Sequence, residues 1–317
     1  MELVDKLSNR QYIDGEWVES SNKNTRDIIN PYNQETIFTV AEGTKEDVER
    51  AILAARRSFE DGEWSLETSE VRGKKVRAVA DKIKENREEL AKLETLDTGK
   101  TLEESYADMD DIHNVFMYFA GLADKDGGEI INSPIPNAES KVVKEPVGVV
   151  TQITPWNYPL LQASWKIAPA LATGCSLVMK PSEITPLTTI RVFELMEEVG
   201  FPKGTINLVL GAGSEVGDVM SGHEEVDLVS FTGGIETGKH IMKQAANHVT
   251  DVALELGGKN PNIIFDDADF ELAVDQALNG GYFHAGQVCS AGSRILVHND
   301  IKDKFEKAQI GRAHVWT

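Results

Sequence analysis

The stretch VGVVTQI at residues 147–153 decides the fold of this chain, because it is a short and largely apolar run. Such a run is typical of a strand that is buried on both faces. Comparable runs recur at residues 175–179, 205–210 and 228–231, and a helical pattern follows each of them. Strands that alternate with helices in this way predict an α/β fold with a parallel sheet and helices on both of its faces.

Polar or glycine-rich segments follow the predicted strands, at the ends where a parallel sheet binds its ligands. They are TPWN at 154–157, KPSE at 180–183, GAG at 211–213 and TGG at 232–234. Glycine allows a diphosphate to approach the backbone, and the N-terminal amides of a following helix can bind it. The segment GGIETG at 233–238 lacks the G-x-G-x-x-G spacing of common dinucleotide sites, so simple turns are an equal interpretation of its glycines from spacing alone.

The region before residue 147 predicts a hairpin followed by helices. Residues 11–18 read QYIDGEWV, in which the Asp14-Gly15 pair is typical of a tight turn between two short strands. Apolar residues at helical spacing then predict helices within 44–57, 71–96 and 105–122.

The composition is that of a globular protein with a strong negative charge. Of 317 residues, 41% are apolar and 26% are charged, which suits two domains with packed cores. The formal net charge of −20 argues against a nucleic-acid or anionic-membrane partner, since both require clustered Lys and Arg. The sequence shows no signal-peptide core and no run long enough for a membrane helix. Because it has only two cysteines, we expect a cytoplasmic protein without disulfides.

Cys289 and Glu255 are the candidate catalytic pair. A thiol that attacks a carbonyl and a carboxylate that activates water are the two groups needed to form and then hydrolyse a thioester. Taken alone, Cys289 could also be a small buried side chain. Glu255 could also be a structural carboxylate that accepts hydrogen bonds from backbone N–H groups.

Several long motifs occur together in one order along the chain. They are TPWNYP at 154–159, WK at 165–166, PALATGC at 169–175, KPSE at 180–183, FTG at 231–233, LELGGK at 254–259 and GQVC at 286–289. Together they resemble the NAD(P)-dependent aldehyde dehydrogenases over residues 10–309. The resemblance implies a parallel, Rossmann-like sheet for the dinucleotide and the start of a second α/β catalytic domain.

The resemblance also implies a domain scheme. It places the first part of the NAD-binding domain at 1–130, an oligomerisation arm at 131–146, the Rossmann-like core at 147–256 and an incomplete catalytic domain at 257–309. The complete protein is expected to be a homo-oligomer. Within the arm, the strand-like run 139–144 is expected to be an exposed edge without its partners. Residues 310–317 do not match the helix continuation expected in this family, so they are predicted to be a non-native tail.

Carried over residue by residue, the resemblance implies that Cys289 is the nucleophile and Glu255 the general base in the oxidation of an aldehyde to an acid. Asn157 and the backbone N–H of Cys289 would stabilise the oxyanion, because donors aimed at developing charge lower the barrier. Lys166 would either relay protons or only pack.

The implied cofactor is NAD, with NADP not excluded. A carboxylate at Glu183 accepts a hydrogen bond from the ribose 2′-hydroxyl and repels a 2′-phosphate, while Lys180 offsets that repulsion. A plain surface ion pair is the alternative for these two residues. The residues implied at the dinucleotide are Ile153, Thr154, Pro155, Trp156, Lys180, Ser182, Glu183, Gly213, Phe231, Thr232, Gly233, Gly234 and Leu256.

Three aromatic residues, Tyr158, Trp165 and Phe283, fall where relatives that bind a quaternary ammonium group place an aromatic cage. Such a group has no N–H to donate, so aromatic faces and negative potential must recognise it. The alternative is a general aromatic lining for any apolar aldehyde.

Members of the family also hold potassium or sodium near the positions of Ile29, Asp97 and Ile184. This sequence shows no local cluster of ligand residues, and the acidic run at 266–269 is more typical of a solvated turn. No metal site is therefore predicted.

Overall fold

The computed structural model describes residues 3–125 and 127–313 of the chain. The chain divides into two compact units, Met1–Glu255 and Leu256–Thr317. The domain boundaries implied by the family resemblance stay predictions. Among the described residues, every helix is too short or too polar to cross a membrane.

The first unit begins with antiparallel strands and helices and continues as alternating strands and helices. Its strands are β1 (Gln11–Ile13), β2 (Glu16–Val18), β3 (Thr25–Ile29), β4 (Thr36–Ala41), β5 (Glu129–Ile131), β6 (Ser140–Val142), β7 (Val149–Ile153), β8 (Ser176–Lys180), β9 (Ile206–Leu208), β10 (Leu228–Gly233) and β11 (Asp251–Leu256). Its helices are α1 (Lys45–Asp61), α2 (Ser69–Glu85), α3 (Arg87–Thr98), α4 (Leu102–Leu122), α5 (Pro159–Thr173), α6 (Leu187–Val199), α7 (Asp218–Gly222) and α8 (Ile235–Ala245). A π-helical turn at Gly213–Gly217 precedes α7.

A seven-stranded sheet lies at the centre of this unit, in the order β11-β10-β7-β8-β9-β1-β2. Strands β10, β7, β8 and β9 run parallel to one another, and every residue of β7 and β8 is buried. The predicted parallel α/β sheet is therefore confirmed. Strand β7 begins only after Gly148, whose φ of +130° is backbone that few residues other than glycine adopt.

The predicted hairpin is also confirmed, as strands β1 and β2. Ile13 pairs with Glu16 across a two-residue turn. Asp14 and Gly15 in that turn both have positive φ, of 55° and 79°. This is the pattern of a type I′ turn, for which Asp-Gly is a preferred pair.

The helical predictions hold with one correction. Helix α1 begins with a capping box, in which the Thr44 side chain and the Asp47 side chain each accept the other residue's backbone N–H. The single helix predicted within 71–96 is wrong, because the chain leaves helical geometry at Asn86, between α2 and α3. There the Asn86 backbone N–H and side-chain amide both donate to the Lys82 carbonyl, which satisfies the end of α2.

The core of the first unit is formed mainly by the sheet and by helices α2 to α6. Its largest fully buried side chains include Trp64, Phe116 and Phe193. Burying one large apolar side chain contributes roughly 1.5–3 kcal/mol. Helix α5 is buried along most of its length, so this packing fixes the helix that follows Asn157.

Strands β5 and β6 form a separate hairpin in which every residue is exposed. Ile130 is 81% exposed, and Val143, just after β6, is 72% exposed. Strand β6 lies in the run 139–144, which was expected to lack partners. Strand β5 pairs with one edge of β6, and no described strand pairs with its other edge, so an exposed edge is present as expected.

The second unit is small and also alternates strand and helix. Its elements are β12 (Pro261–Ile264), α9 (Phe270–Tyr282), a 3-10 turn at Phe283–Gly286, β13 (Arg294–Val297) and α10 (Lys302–Ala313). Strands β12 and β13 are parallel. Ile264, Val274, Ala277 and Phe305 form its core.

The predicted tail at 310–317 is partly helical. Residues 310–313 continue α10, and Arg312 forms ion pairs with Glu271 and Asp275. Helix α10 therefore continues past residue 309. Residues 314–317 lie outside the described residues, and a non-native origin of the tail stays a prediction.

Candidate active site

The loop between β7 and α5 carries the first predicted site residues at the carboxyl end of the sheet. Ile153 and Thr154 are buried, and the Thr154 N–H donates to the Lys180 carbonyl of the neighbouring strand over 3.1 Å. Asn157 is half-buried, two residues before Pro159, the first residue of α5. Proline suits that position because its missing N–H would have no helical partner. Strand end and helix start together place Asn157 where parallel sheets bind ligands.

Lys166 is a buried lysine on α5. Its ammonium group donates to the Ser230 hydroxyl over 3.0 Å, and the Gln152 side chain donates to the Lys166 backbone carbonyl over 2.9 Å. Burial lowers the pKa of the ammonium to about 8, although the Glu255 carboxylate acts in the opposite direction. Lys166 is therefore within electrostatic reach of Glu255, which is exposed on β11.

Replacing Lys166 by methionine is expected to stabilise the chain at neutral pH, and to do so less at alkaline pH. A lysine whose folded-state pKa of about 8 lies below its ordinary 10.5 destabilises the fold fully below pH 8. That destabilisation disappears as the pH rises toward 10.5. The increase in the free energy of unfolding caused by Lys166→Met should therefore be about 2 kcal/mol smaller at roughly pH 9.5 than at roughly pH 7. Urea unfolding of both proteins measures it.

The control for this measurement is Lys243→Met, which removes an exposed lysine on α8. Its effect on the free energy of unfolding should be small at both pH values. If the Lys166→Met gain were the same at both pH values, a depressed pKa of Lys166 would be excluded.

Several of the predicted dinucleotide residues lie at the carboxyl ends of three adjacent strands, β10, β7 and β8. Ile153 pairs with Phe231 of β10 on one side and with Lys180 of β8 on the other. Thr232 is buried, and its hydroxyl donates to the Gln162 side-chain carbonyl over 3.2 Å. Of the remaining residues, Ser182 is buried, Pro155 and Gly233 are half-buried and Trp156 is exposed. Leu256 is the last residue of β11 and the first residue of the second unit.

Lys180 and Glu183 form an ion pair of 3.2 Å, in which Lys180 is buried. Arg26 and Glu42 form a second ion pair near the first, in which the Arg26 guanidinium donates two hydrogen bonds to the Glu42 carboxylate. The same carboxylate accepts the Ala212 N–H over 3.0 Å. Burial opposes ionisation of Glu183, but Lys180, hydrogen bonds and Arg26 outweigh it and hold the pKa of this carboxyl below its ordinary value. An ionised carboxylate is what recognition of a ribose 2′-hydroxyl requires.

Two of the predicted cofactor glycines have open space beside them. A Cβ placed on Gly213 or Gly234 would meet no described protein atom within 4 Å, whereas one on Gly233 would lie 2.4 Å from the Phe231 ring. Gly234 has φ −79° and ψ 149°, which any residue adopts, and it caps the N terminus of α8. Protein packing therefore does not require glycine at position 234. Open space at a helix N terminus fits a diphosphate group.

The predicted substrate residues lie in different surroundings. Trp165 is 48% exposed and lines a cleft of about 460 Å³, whose other lining residues are Asp111, Asn114, Val115, Tyr118, Phe119 and Leu161. The Tyr158 ring centre lies 4.2 Å from the Lys100 ammonium. Phe283 is 46% exposed and belongs to the second unit. The structure thus places an aromatic side chain and a carboxylate, Asp111, on one cleft of the first unit.

Cys289 is an exposed free cysteine in the second unit, whereas Cys175 is buried in the first. The Asn260 side-chain amide donates to the Cys289 carbonyl over 2.9 Å. Just before Cys289, residues 284–286 all have left-handed backbone, with φ of 49°, 54° and 74°. Such geometry costs about 1–3 kcal/mol at a non-glycine residue and is often kept at functional sites.

Asp97, at the position that the family resemblance places near a cation, has an unsatisfied oxygen. Its Oδ2 accepts the Leu187 N–H over 2.9 Å, while its Oδ1 is buried and accepts no hydrogen bond from the described residues. Burial raises the pKa of Asp97 well above its ordinary value. A buried carboxylate oxygen without a donor fits a cation ligand. In the second unit, Asp266, His298 and Asp300 bring ligand atoms within 4.8 Å of one another, but all three are exposed.

Sequence reasoning missed three residues of the site, Lys100, Asp111 and Ser230. Ser230 meets Lys166 across 64 positions of the chain, and Asp111 belongs to a charged helix surface that looks like any solvated face. Lys100 directly follows Gly99, the glycine that ends α3, and a lysine at such a position is usually exposed. Its burial is therefore known only from the structure.

The chain matches the aldehyde dehydrogenase family over residues 17–317. It is 65% identical to betaine aldehyde dehydrogenase of Bacillus subtilis (strain 168), over 97% of this chain and 63% of that protein. It is 48% identical to aminoaldehyde dehydrogenase 2 of Zea mays, over 93% of this chain and 60% of that protein. The chain therefore spans about three fifths of the length of these relatives.

Solved structures of betaine aldehyde dehydrogenase from Staphylococcus aureus are also similar. One, in complex with NAD+ and with BME-free Cys289, has a TM-score of 0.97 and 89% identity, covering 98% of this chain and 62% of that one. The apo G234S mutant with BME-modified Cys289 has the same TM-score, identity and coverage.

Proposed function

This chain belongs to the aldehyde dehydrogenase family, and on that premise we propose that the complete protein oxidises betaine aldehyde to glycine betaine with NAD as hydride acceptor. The observation that carries the proposal is the 89% identity with S. aureus betaine aldehyde dehydrogenase. The role would be synthesis of an osmoprotectant from choline. An aminoaldehyde is the second candidate substrate, supported by the similarity to the Zea mays enzyme.

In the proposed reaction the Cys289 thiolate adds to the aldehyde carbon and forms a thiohemiacetal. The Asn157 side-chain amide and the Cys289 backbone N–H donate to the oxygen as it gains negative charge, and losing one such donor typically costs about 3 kcal/mol. NAD, when bound, would supply the acceptor for the hydride that leaves this carbon. Glu255 then takes a proton from water, whose oxygen attacks the thioester and releases the acid and the thiolate.

Lys166 is proposed to relay the proton that Glu255 takes up. Burial lowers its pKa to about 8, which keeps both the ammonium and the amine accessible near neutral pH, and the Glu255 carboxylate acts against that lowering. The Ser230 hydroxyl, which accepts from Lys166, is the next group along the same path.

NAD is proposed as the preferred cofactor. The ionised Glu183 favours a 2′-hydroxyl over a 2′-phosphate. Lys180 and Arg26 bring positive charge to the same place, so NADP is retained as the weaker alternative. The open space beside Gly213 and Gly234 supports a diphosphate at the N terminus of α8.

The substitution Gly234→Thr is expected to leave stability unchanged and to weaken NAD binding by at least about tenfold. Threonine is a favourable N-cap residue, and its side chain would enter space that no described protein atom fills. The free energy of unfolding should stay within about 0.5 kcal/mol. Urea unfolding and titration of NAD by fluorescence measure the two effects.

The matched control is Gly233→Ala, whose Cβ would collide with the Phe231 ring. That variant should lose stability by about 1–3 kcal/mol, because overpacking forces neighbours apart. Unchanged NAD affinity in Gly234→Thr would show that the diphosphate does not approach this glycine.

The cleft at Trp165 supports a cationic aldehyde as substrate. The Trp165 indole is exposed there, and tryptophan binds cations more strongly than the other aromatic residues do. The carboxylate of Asp111 lines the same cleft and adds the negative potential that a quaternary ammonium group needs. One side of the Tyr158 ring lies against the Lys100 ammonium, whereas the Trp165 indole is exposed and lines the cleft.

Replacing Trp165 by alanine in the full-length protein is expected to lower kcat/KM for betaine aldehyde by roughly 30-fold, which corresponds to about 2 kcal/mol of cation–π interaction. The loss should be smaller for the uncharged isostere, in which a tert-butyl group replaces trimethylammonium. Trp165→Phe keeps an aromatic face, so its kcat/KM for betaine aldehyde should lie between the values of Trp165→Ala and of the unsubstituted protein. Equal losses for both aldehydes would indicate a general apolar lining.

NADH formation with betaine aldehyde tests the proposed function itself. A full-length protein that contains this chain should reduce NAD, whereas the 317-residue chain should bind NAD and show little or no turnover if the catalytic domain must be complete. A full-length protein that oxidises other aldehydes but not betaine aldehyde would overturn the proposed substrate.

We also propose that the complete protein is a homo-oligomer and acts in the cytoplasm. The β5–β6 hairpin supports the first point, because its apolar residues such as Ile130 are covered by no described part of the chain. The two free cysteines support a reducing compartment. Light scattering during size-exclusion chromatography would measure the number of subunits.

A further inference from the structure

We propose that Lys100 is a positioning residue, which joins helix α4 to the start of α5 and thereby holds Tyr158 as a wall of the substrate site. The link to a cationic aldehyde rests on the proposed function. The observation behind it is one ammonium group that contacts both helices of the cleft.

The backbone of Lys100 is fixed on both sides. Gly99, with φ 77°, ends helix α3, and Thr101 caps the N terminus of α4 with its side chain. Lys100 lies between these two caps, and its side chain is fully buried. A long side chain held in this way has few alternative positions, so its ammonium group can act as a fixed point.

On the side of α4, the Lys100 ammonium contacts the Asp108 carboxylate at 2.5 Å. It also lies 3.4 Å from Glu94, which accepts a 2.7 Å hydrogen bond from the Thr188 hydroxyl. Burying a charge is costly unless it is paired, so these carboxylates are what make an ammonium group stable at this position.

On the side of α5, the same ammonium lies 4.2 Å from the centre of the Tyr158 ring. An ammonium group over an aromatic face is attracted by the ring quadrupole, most strongly where water is excluded. Tyr158 caps α5 and directly follows Asn157. A contact that fixes the ring therefore also restrains the turn that carries the proposed oxyanion donor.

The cleft lies between the two helices that Lys100 joins. Asp111, one turn after Asp108 on α4, lines the cleft together with Leu161 and Trp165 of α5. Leu161 is one turn after Tyr158. Both contacts of Lys100 are thus one turn from residues of the cleft, and a shift of either helix changes the spacing between Asp111 and Trp165.

The test compares discrimination between betaine aldehyde and its tert-butyl isostere in a full-length protein that contains this chain. The variant Lys100→Met/Asp108→Asn removes one positive and one negative charge, so the net charge near the cleft is unchanged. The ratio of the two kcat/KM values should fall by roughly threefold to tenfold, the range of one cation–π contact. Lys100→Arg, which keeps a cation over the ring, should stay within about twofold of the unsubstituted protein.

A purely structural ion pair would lower the amount of folded enzyme without changing this ratio, so an unchanged ratio overturns the proposal. A raised ratio also overturns it, because Lys100 would then compete with the substrate for the ring. If the doubly substituted protein does not fold, Tyr158→Leu decides, since it removes the ring and keeps the ion pairs of Lys100 with Asp108 and Glu94. That variant must lower the ratio by a similar factor.

A second measurement does not depend on the proposed function. In the 317-residue chain, a double-mutant cycle combines Lys100→Met/Asp108→Asn with Tyr158→Leu and follows urea unfolding. The combined effect of the two sets of substitutions on the unfolding constant should differ by about fivefold from the product of their separate effects. If the separate effects multiplied without such a difference, the stabilising contact between Lys100 and the Tyr158 ring would be refuted. If the unsubstituted enzyme does not distinguish the two aldehydes, the proposed substrate fails while this cycle still decides the role of Lys100.

Discussion

Replacing Cys289 by alanine in the full-length protein is expected to lower kcat for aldehyde oxidation by at least about 10⁴-fold, because the proposed nucleophile is lost. Without the thiolate no thiohemiacetal forms, and the carbon cannot give up its hydride. NAD binding should be unaffected, since the proposed dinucleotide residues lie almost entirely in the first unit. NADH absorbance and NAD titration measure the two properties.

Cys175→Ala is the matched control, because it removes the other cysteine of the chain. Cys175 is buried next to β8, so its loss should cost about 1 kcal/mol or less of stability and leave kcat within about twofold. Iodoacetamide should label the unsubstituted protein once per chain, and Cys289→Ala not at all. Activity that survives in Cys289→Ala would refute the assignment of the nucleophile.

Replacing Glu255 by glutamine is expected to separate the two halves of the reaction. Hydride transfer still occurs once, because it needs the thiolate and the oxyanion donors, but the thioester then has no base to activate water. Steady-state kcat should fall by about 10²–10⁴-fold, with a burst of close to one NADH per active site. Stopped-flow absorbance measures the burst, and intact-protein mass spectrometry should show an acylated Cys289.

Glu236→Gln, which changes an exposed carboxylate on α8, is the control and should behave as the unsubstituted enzyme. If Glu255→Gln showed a lower rate without a burst, the carboxylate would act before or during hydride transfer. Such a result would move Glu255 from thioester hydrolysis to activation of the thiol.

The parallel sheet could be predicted from the sequence because buried strands appear as continuous apolar runs, as in Val149–Ile153. The hairpin could be predicted because Asp14-Gly15 suits only a few turn types. The break at Asn86 could not, since the charged pattern continues past it and the stop is made by hydrogen bonds to Lys82. Local propensity says little where capping contacts decide.

The motif residues of the site could be proposed from the sequence, but their partners could not. The ammonium of Lys166 is directed by Ser230, and one side of Tyr158 is occupied by Lys100, in both cases through contacts between distant parts of the chain. The orientation of Arg26 toward Glu42 likewise depends on strand β3 lying beside the loop after β4. Such pairs arise from packing, which a single sequence does not reveal.

The β5–β6 hairpin has a consequence for the life of the chain in the cell. Its apolar side chains are exposed in the single chain, and Lys141 is the only charged residue of β6 that discourages random strand pairing. An exposed apolar hairpin of this kind can pair with the same hairpin of another newly made chain and start aggregation. Slow synthesis and low concentration should favour recovery of dispersed protein, and crowded overproduction should favour inclusion bodies.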